Sequence, residues 1–193
     1  MNPQRRAVAD EVLAAGRAHD AAQSDRLARF RNVEPETAEL LGVLVRATRA
    51  RRVLELGTSN GYSTIWLADA VEATGGALTS VELDPARTAL ARADLGRAGL
   101  AAELVTGDAA ETLRTSHAGA WDLVFLDAER PAYAGYWPDL VRVLAPGGGL
   151  VAIDNVLSHA DEVAGVTRLI EAEPAVTSVL VPIGAGLRLA VRG

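Results

Sequence analysis

Four apolar runs in this chain end on or beside an acid: Glu82 in "SVELD", Asp108 in "VTGDAA", Asp127 in "FLDAER", and Asp154 followed by Asn155 in "VAIDNV". A fifth run, "RVLELG", carries Glu55 inside it, two residues before Gly57. Carboxylates at such places accept hydrogen bonds from hydroxyls and amines, and they ligate hard cations. Gly57 and Gly61 let the backbone turn sharply and approach a ligand. Their spacing is G-x-x-x-G, not the G-x-G-x-x-G of a dinucleotide site, and Glu55 would face a pyrophosphate badly. It suits a cation, such as the amino group or sulfonium of S-adenosylmethionine (SAM). Glu82 stands where an acid can accept both ribose hydroxyl protons. Asp108 and Ala109 stand where an adenine amine and ring would lie. Either acid alone is more often a helix cap or a surface acid. Together they close successive strands on the side of an open α/β sheet where ligands bind.

Asp127, Asp154 and Asn155 form a second set. Two carboxylates and an amide oxygen make an all-oxygen site that suits Mg2+, Mn2+ or Ca2+ rather than zinc. Three protein donors leave positions for water and a substrate. The plainer alternative is that Asp154 and Asn155 cap the segment that follows. His159, five residues past Asp154, is a candidate base, because an imidazole accepts a proton near neutral pH. Against this, Ser158 with Asp161 looks like a helix start, which would leave His159 an exposed first-turn residue. His19 and His117 have no comparable context. Tyr133, Tyr136 and Trp137 concentrate three of the eight aromatic residues. Their helical spacing favours core packing or a subunit face over an acceptor wall. Tyr62 and Trp66 read as packing residues.

The elements that must position these groups follow from the pattern. Short apolar runs at 52–57, 77–82, 102–107, 121–127 and 149–154 alternate with segments of helical length at roughly 61–73, 84–98, 109–115 and 133–145. That alternation predicts parallel strands with right-handed crossovers. "SVLVPIGAGLRLAVR" (178–192) differs: it predicts two antiparallel strands joined by a Gly-containing turn. Residues 1–50 form a mostly helical N-terminal region, with Pro35 near the start of a periodic stretch over 34–48. No repeat, low-complexity tract or linker divides the 193 residues, which are read as one domain with an α/β core over 51–193.

Composition excludes several chemistries. There is no cysteine, so disulfides, thiolate zinc sites and Cys nucleophiles are ruled out. There is no lysine either; all nineteen basic residues are Arg, so no side-chain amine can act as a base or form a Schiff base. The net charge of −6 argues against a nucleic-acid partner. Charge is uneven: residues 1–52 hold ten Arg against seven acids, and residues 53–193 hold nine Arg against eighteen acids. No apolar run reaches the ~18 residues of a membrane span, and Asp10 and Glu11 interrupt any signal-peptide core. A cytoplasmic protein is expected.

At this point the motifs resemble, in order, those of the metal-dependent O-methyltransferases of the caffeoyl-CoA and catechol O-methyltransferase family. "LELGTSNGYST", "VELD", "GDAAE", "WDLVFLDAER", "APGGGLVAIDNVL" and "PIGAGLRLAVR" carry the likeness over about residues 33–192. The resemblance implies a Rossmann-like fold with a mostly parallel seven-stranded sheet, a C-terminal antiparallel hairpin and helices on both faces. It implies SAM contacts from Glu55, Gly57, Ser63, Glu82, Asp108, Ala109 and Asp127; Thr58, Ser59 and Gly61 of the same loop are grouped with them. It also implies a divalent cation on Asp127, Asp154 and Asn155, a small acceptor with adjacent hydroxyls, and a homodimer built on the N-terminal helices or the aromatic cluster.

Three departures stand out. Arg130 occupies the place of a lysine to which the family assigns deprotonation. Arg130 cannot serve as a base, so it is expected either to stabilise an oxyanion or to pair with Glu129. Glu129 is longer than the usual Asp. The segment after Asn155 lacks the family's Trp-Gly-Gly type of loop, which suggests a more open acceptor site. The leading expectation is a SAM- and metal-dependent O-methyltransferase for a catechol-like or phenolic acceptor, with Arg130 and His159 as catalytic candidates. A tRNA-modifying methyltransferase on the same scaffold and a non-catalytic SAM-binding module are the alternatives. An NAD-dependent oxidoreductase is disfavoured by the glycine spacing and Glu55.

Overall fold

The structure is a computed structural model that describes all of residues 1–193. Seven strands form one sheet: β1 (Arg52–Leu56), β2 (Ala77–Glu82), β3 (Glu103–Thr106), β4 (Leu123–Leu126), β5 (Leu150–Ile153), β6 (Val176–Val181) and β7 (Leu187–Arg192). Their order is β3-β2-β1-β4-β5-β7-β6. β1 to β5 pair in parallel, and β7 runs antiparallel between β5 and β6. This is the expected Rossmann-like sheet with its closing hairpin. After β3 the chain returns to pair β4 with β1, which makes the gap between β1 and β4 the switch point where open α/β sheets bind ligands.

The helices are α1 (Pro3–Ala22), α2 (Pro35–Thr48), α3 (Tyr62–Ala73), α4 (Pro85–Ala98), α5 (Ala109–Thr115), α6 (Tyr133–Val143) and α7 (Ala160–Ala172). Successive residues of a strand face opposite ways. Val53, Leu123, Phe125, Leu150 and Ala152 therefore pack into one core with α1 to α4. Leu54, Leu56, Val124, Leu126 and Val151 pack into the other with α5, α6 and α7. Helix α7 was absent from the alternation read in the sequence, where only its start was visible at Ser158 and Asp161. Its apolar residues Val163, Val166 and Ile170 supply the helical period that covers β5. No helix is long and apolar enough to cross a membrane.

Candidate active site

Register brings the candidate residues together. Leu56 pairs with both Val81 and Leu126, and Leu126 pairs with Ile153. The next residues, Gly57, Glu82, Asp127 and Asp154, therefore emerge side by side at the carboxyl ends of four adjacent strands. They open into a cavity of roughly 840 Å3, near the upper end of small-molecule sites and large enough for a cofactor with a second ligand. Gly57, Thr58, Ser59, Ser63, Glu82, Asp108, Ala109, Asp127, Arg130, Asp154, Asn155 and His159 all line it.

Two expected contacts do not reach the wall. Glu55 is fully buried beneath the glycine loop, where its carboxylate accepts from Ser63 Oγ (2.5 Å), Thr64 Oγ1 (2.6 Å) and Ser80 Oγ (2.6 Å). Strand alternation explains the correction. Glu55 shares a face with Val53 and points under α3 rather than out of the strand end. It meets the cavity only through Ser63, whose hydroxyl donates to it, so Ser63 Oγ keeps its lone pairs for a ligand. Gly61 also stands back. Its φ of +90° starts α3, and a Cβ there would lie 2.9 Å from Ala91 Cβ, so glycine is needed for α3 to pack against α4.

Burial raises the Glu55 carboxyl to about 7, while its three hydroxyl partners pull the other way. A raised value means that the native state holds this proton longer than the unfolded chain does. Stability from this group is full below its ordinary 4.5 and is lost as pH rises to about 7. Wild type should therefore lose up to a few kcal/mol relative to Glu55→Gln across that window. Urea denaturation of both proteins at about pH 5 and about pH 7.5 reads the change; a gap that stays constant with pH rejects it.

Glu82 and Asp108 are partly engaged by backbone. Glu82 accepts from Ser59 N (2.8 Å) and Asp84 N (3.0 Å), and Asp108 caps α5 through Ala110 N (2.8 Å). A carboxylate has about four lone-pair sites, so each keeps capacity for a ligand.

Asp127 and Asp154 face each other across Asn155, whose Nδ2 donates to Asp127 Oδ1 and Asp154 Oδ2, each at 3.0 Å. Asn155 adopts φ +67°, a left-handed conformation that is uncommon outside glycine and concentrated at functional sites. Burial and the neighbouring Asp154 hold the Asp127 carboxyl well above the usual range, and burial pushes Asp154 up to about 6. Asp154 Oδ1 is buried with no partner. No third carboxylate, imidazole or thiolate joins them. One buried and one half-buried carboxylate, one orphaned oxygen and an amide that can present oxygen in place of nitrogen fit a hard divalent cation.

Arg130 is buried (3% exposed), and its Nε donates to Glu162 Oε2 at 2.9 Å. It does not pair with Glu129, which instead holds Arg31 (2.5 Å) and Arg26 (3.4 Å). Arg130 thus anchors the first turn of α7, where His159 is the N-terminal capping residue. His159 is half-buried and places Nδ1 2.9 Å from Ser158 Oγ, leaving Nε2 free. The loop between Asn155 and His159 is braced by the β6–β7 turn: Leu157 N and Ser158 N both donate to Ala185 O. At Gly186 (φ +91°) a Cβ would fall 2.6 Å from Leu157 Cγ, which accounts for the second glycine of "GAG" in that turn.

Residues 26–34, between α1 and α2, form a wall that was read in the sequence only as part of a helical region. Asp20 accepts from Phe30 N and Arg31 N, Ser59 Oγ donates to Phe30 O, and Asn32 bonds Asn60. Arg87 donates to the carbonyls of Leu27 and Arg29. The available signal was the run "RLARFRN", three arginines and a phenylalanine with no apolar period. The aromatic cluster divides: Tyr133 and Trp137 are core, while Tyr136 lines the cavity.

Residues 7–193 match the model of a family described as O-methyltransferase. A catechol O-methyltransferase of Mycobacterium tuberculosis is 41% identical over 77% of this chain and 66% of its own length. One from Niastella koreensis is 38% identical over 65% of this chain and 58% of its own length. The match thus spans about three-fifths to two-thirds of these relatives. A solved O-methyltransferase from Bacillus cereus in complex with SAH is 28% identical, with a TM-score of 0.80 over 97% of this chain and 91% of that one.

Proposed function

The chain belongs to the O-methyltransferase family, and on that premise we propose that it transfers the methyl group of SAM to a hydroxyl of a small, catechol-like or phenolic acceptor with help from a divalent cation. The observation that carries this reading is the meeting of two sites at Asp127. One side of that residue faces the glycine loop and Glu82, which suit a nucleoside. The other faces Asp154 and Asn155, which suit a cation. The Bacillus cereus relative's complex with SAH and the names of the curated relatives support it.

The residues take distinct roles. Glu82 accepts from the ribose hydroxyls, Asp108 and Ala109 border the adenine, and Ser63, polarised by Glu55, accepts from the ammonium. Asp127, Asp154 and Asn155 would hold the cation, which when bound supplies Lewis-acid stabilisation of an acceptor oxyanion near neutral pH. His159 takes the acceptor's hydroxyl proton on Nε2. Arg130 keeps α7, and so His159, in place through Glu162.

The test is a methyl-transfer assay against a phenolic panel with Mg2+, with Mn2+ and with EDTA. Transfer to adjacent hydroxyls that EDTA abolishes is the expected result. His159→Gln should slow it by roughly 10²-fold or more. SAM binding without transfer to any phenol would instead favour a non-catalytic SAM-binding module. Unchanged turnover and pH profile in His159→Gln would remove the base assignment.

A further inference from the structure

Five arginines line the cavity, and three are committed elsewhere. Arg29 makes two bonds to the Gln23 carbonyl, Arg87 holds the carbonyls of Leu27 and Arg29, and Arg130 is paired with Glu162. The remaining two, Arg26 and Arg31, share the single carboxylate of Glu129. Two positive charges therefore meet one negative charge at this wall. Arg31 Nε is buried and donates to nothing, an expensive state for a charged donor unless a ligand completes it. Arg31 is also close enough to Asp127 for its charge to pull that carboxyl downward. Through its bond to Glu129, two residues past Asp127, it lies beside the candidate cation site in the same cavity. The one other acid on this wall, Glu34, is partnered by Arg17 at 3.2 Å. A guanidinium with free donors matches a planar carboxylate bidentately.

We propose that Arg31, assisted by Arg26, selects acceptors that carry a carboxylate as well as their hydroxyls, so that the substrate class is a dihydroxylated organic acid rather than a neutral catechol. This rests on the O-methyltransferase reading above and narrows it. Glu129 is the internal stand-in for that carboxylate and competes with it.

The experiment is calorimetric binding of 3,4-dihydroxybenzoate and of its uncharged amide, with Mg2+ present and with and without SAH. Wild type should bind the acid about tenfold tighter than the amide. Arg31→Gln should bring that ratio close to one, and Glu129→Gln should raise it by removing the competitor. Added salt should lower the ratio in wild type, because it screens the acid and leaves the amide alone. A wild-type ratio near one, failure of both compounds to bind, or a ratio unmoved by Arg31→Gln overturns the proposal. If Arg31→Gln does not fold, the Glu129→Gln and salt arms still decide: no rise and no salt effect reject it. Binding is the readout, so an absence of methyl transfer with the ratio intact strikes the activity reading and spares this one.

Discussion

Asp154→Asn should reduce methyl transfer by more than about 100-fold, because even a residue that only supports a metal ligand typically costs 10–100-fold. SAH affinity should change little, since the side of the cavity proposed for the cofactor is lined by the glycine loop, Glu82 and Asp108. The same substitution should make the metal-free protein more stable. Burial pushes the Asp154 carboxyl up to about 6. Its contribution to stability is therefore present below the ordinary 3.8 and lost as pH rises through about 6. In EDTA at neutral pH the asparagine variant should melt higher, by up to about 3 kcal/mol of stability, and the advantage should shrink toward acid pH. Saturating Mg2+ should reverse the order, because only wild type gains binding energy from it. A variant that keeps turnover, or one that melts lower in EDTA at neutral pH, contradicts the assignment. The opposed signs separate a lost function from a damaged fold.

Gly57→Ala is the second large effect, and it acts on the fold itself. Gly57 has φ +110°, outside the range of L-residues. A Cβ there would collide with the carbonyl oxygen of Asp127 and sit 2.7 Å from its carbonyl carbon. Backbone offers no rotamer by which to retreat. Strain and overpacking together should cost about 3 kcal/mol or more, a fall in Tm of roughly 6–12 °C for a chain of this size. Gly75→Ala is the control, with φ +69° and nothing within 4 Å of the added Cβ. Equal losses at the two positions would show that conformation alone, and not the closeness of β1 to β4, demands the glycine.

The sheet and the carboxylate row were legible because both follow from short-range regularities. Four apolar runs ended on or beside acids, and the strands do end at or within two residues of them. Glu55 was misplaced for want of the same rule: its alternation with Leu54 and Leu56 already put it on the α3 face. Arg130 could not be resolved, because its partner Glu162 lies 32 residues on, in a helix the alternation had not included. Residues 26–34 were hidden for a different reason. They hold their place through polar ties to α4, the glycine loop and Glu129, none of which leaves an apolar period. A charged, aperiodic stretch reads as a solvated surface unless the partners are known.

The position of β7 bears on how the chain is made. β6 leaves the ribosome before β7 but pairs only with β7, and β5 has its second neighbour only once β7 arrives. Until then the sheet ends at an open β5 edge and β6 has no strand to pair with. The same arrival delivers Ala185 to the loop that bears His159. The hairpin therefore closes the β5 edge and braces the loop that bears His159 in a single event, so the sheet edge and that loop become ordered together.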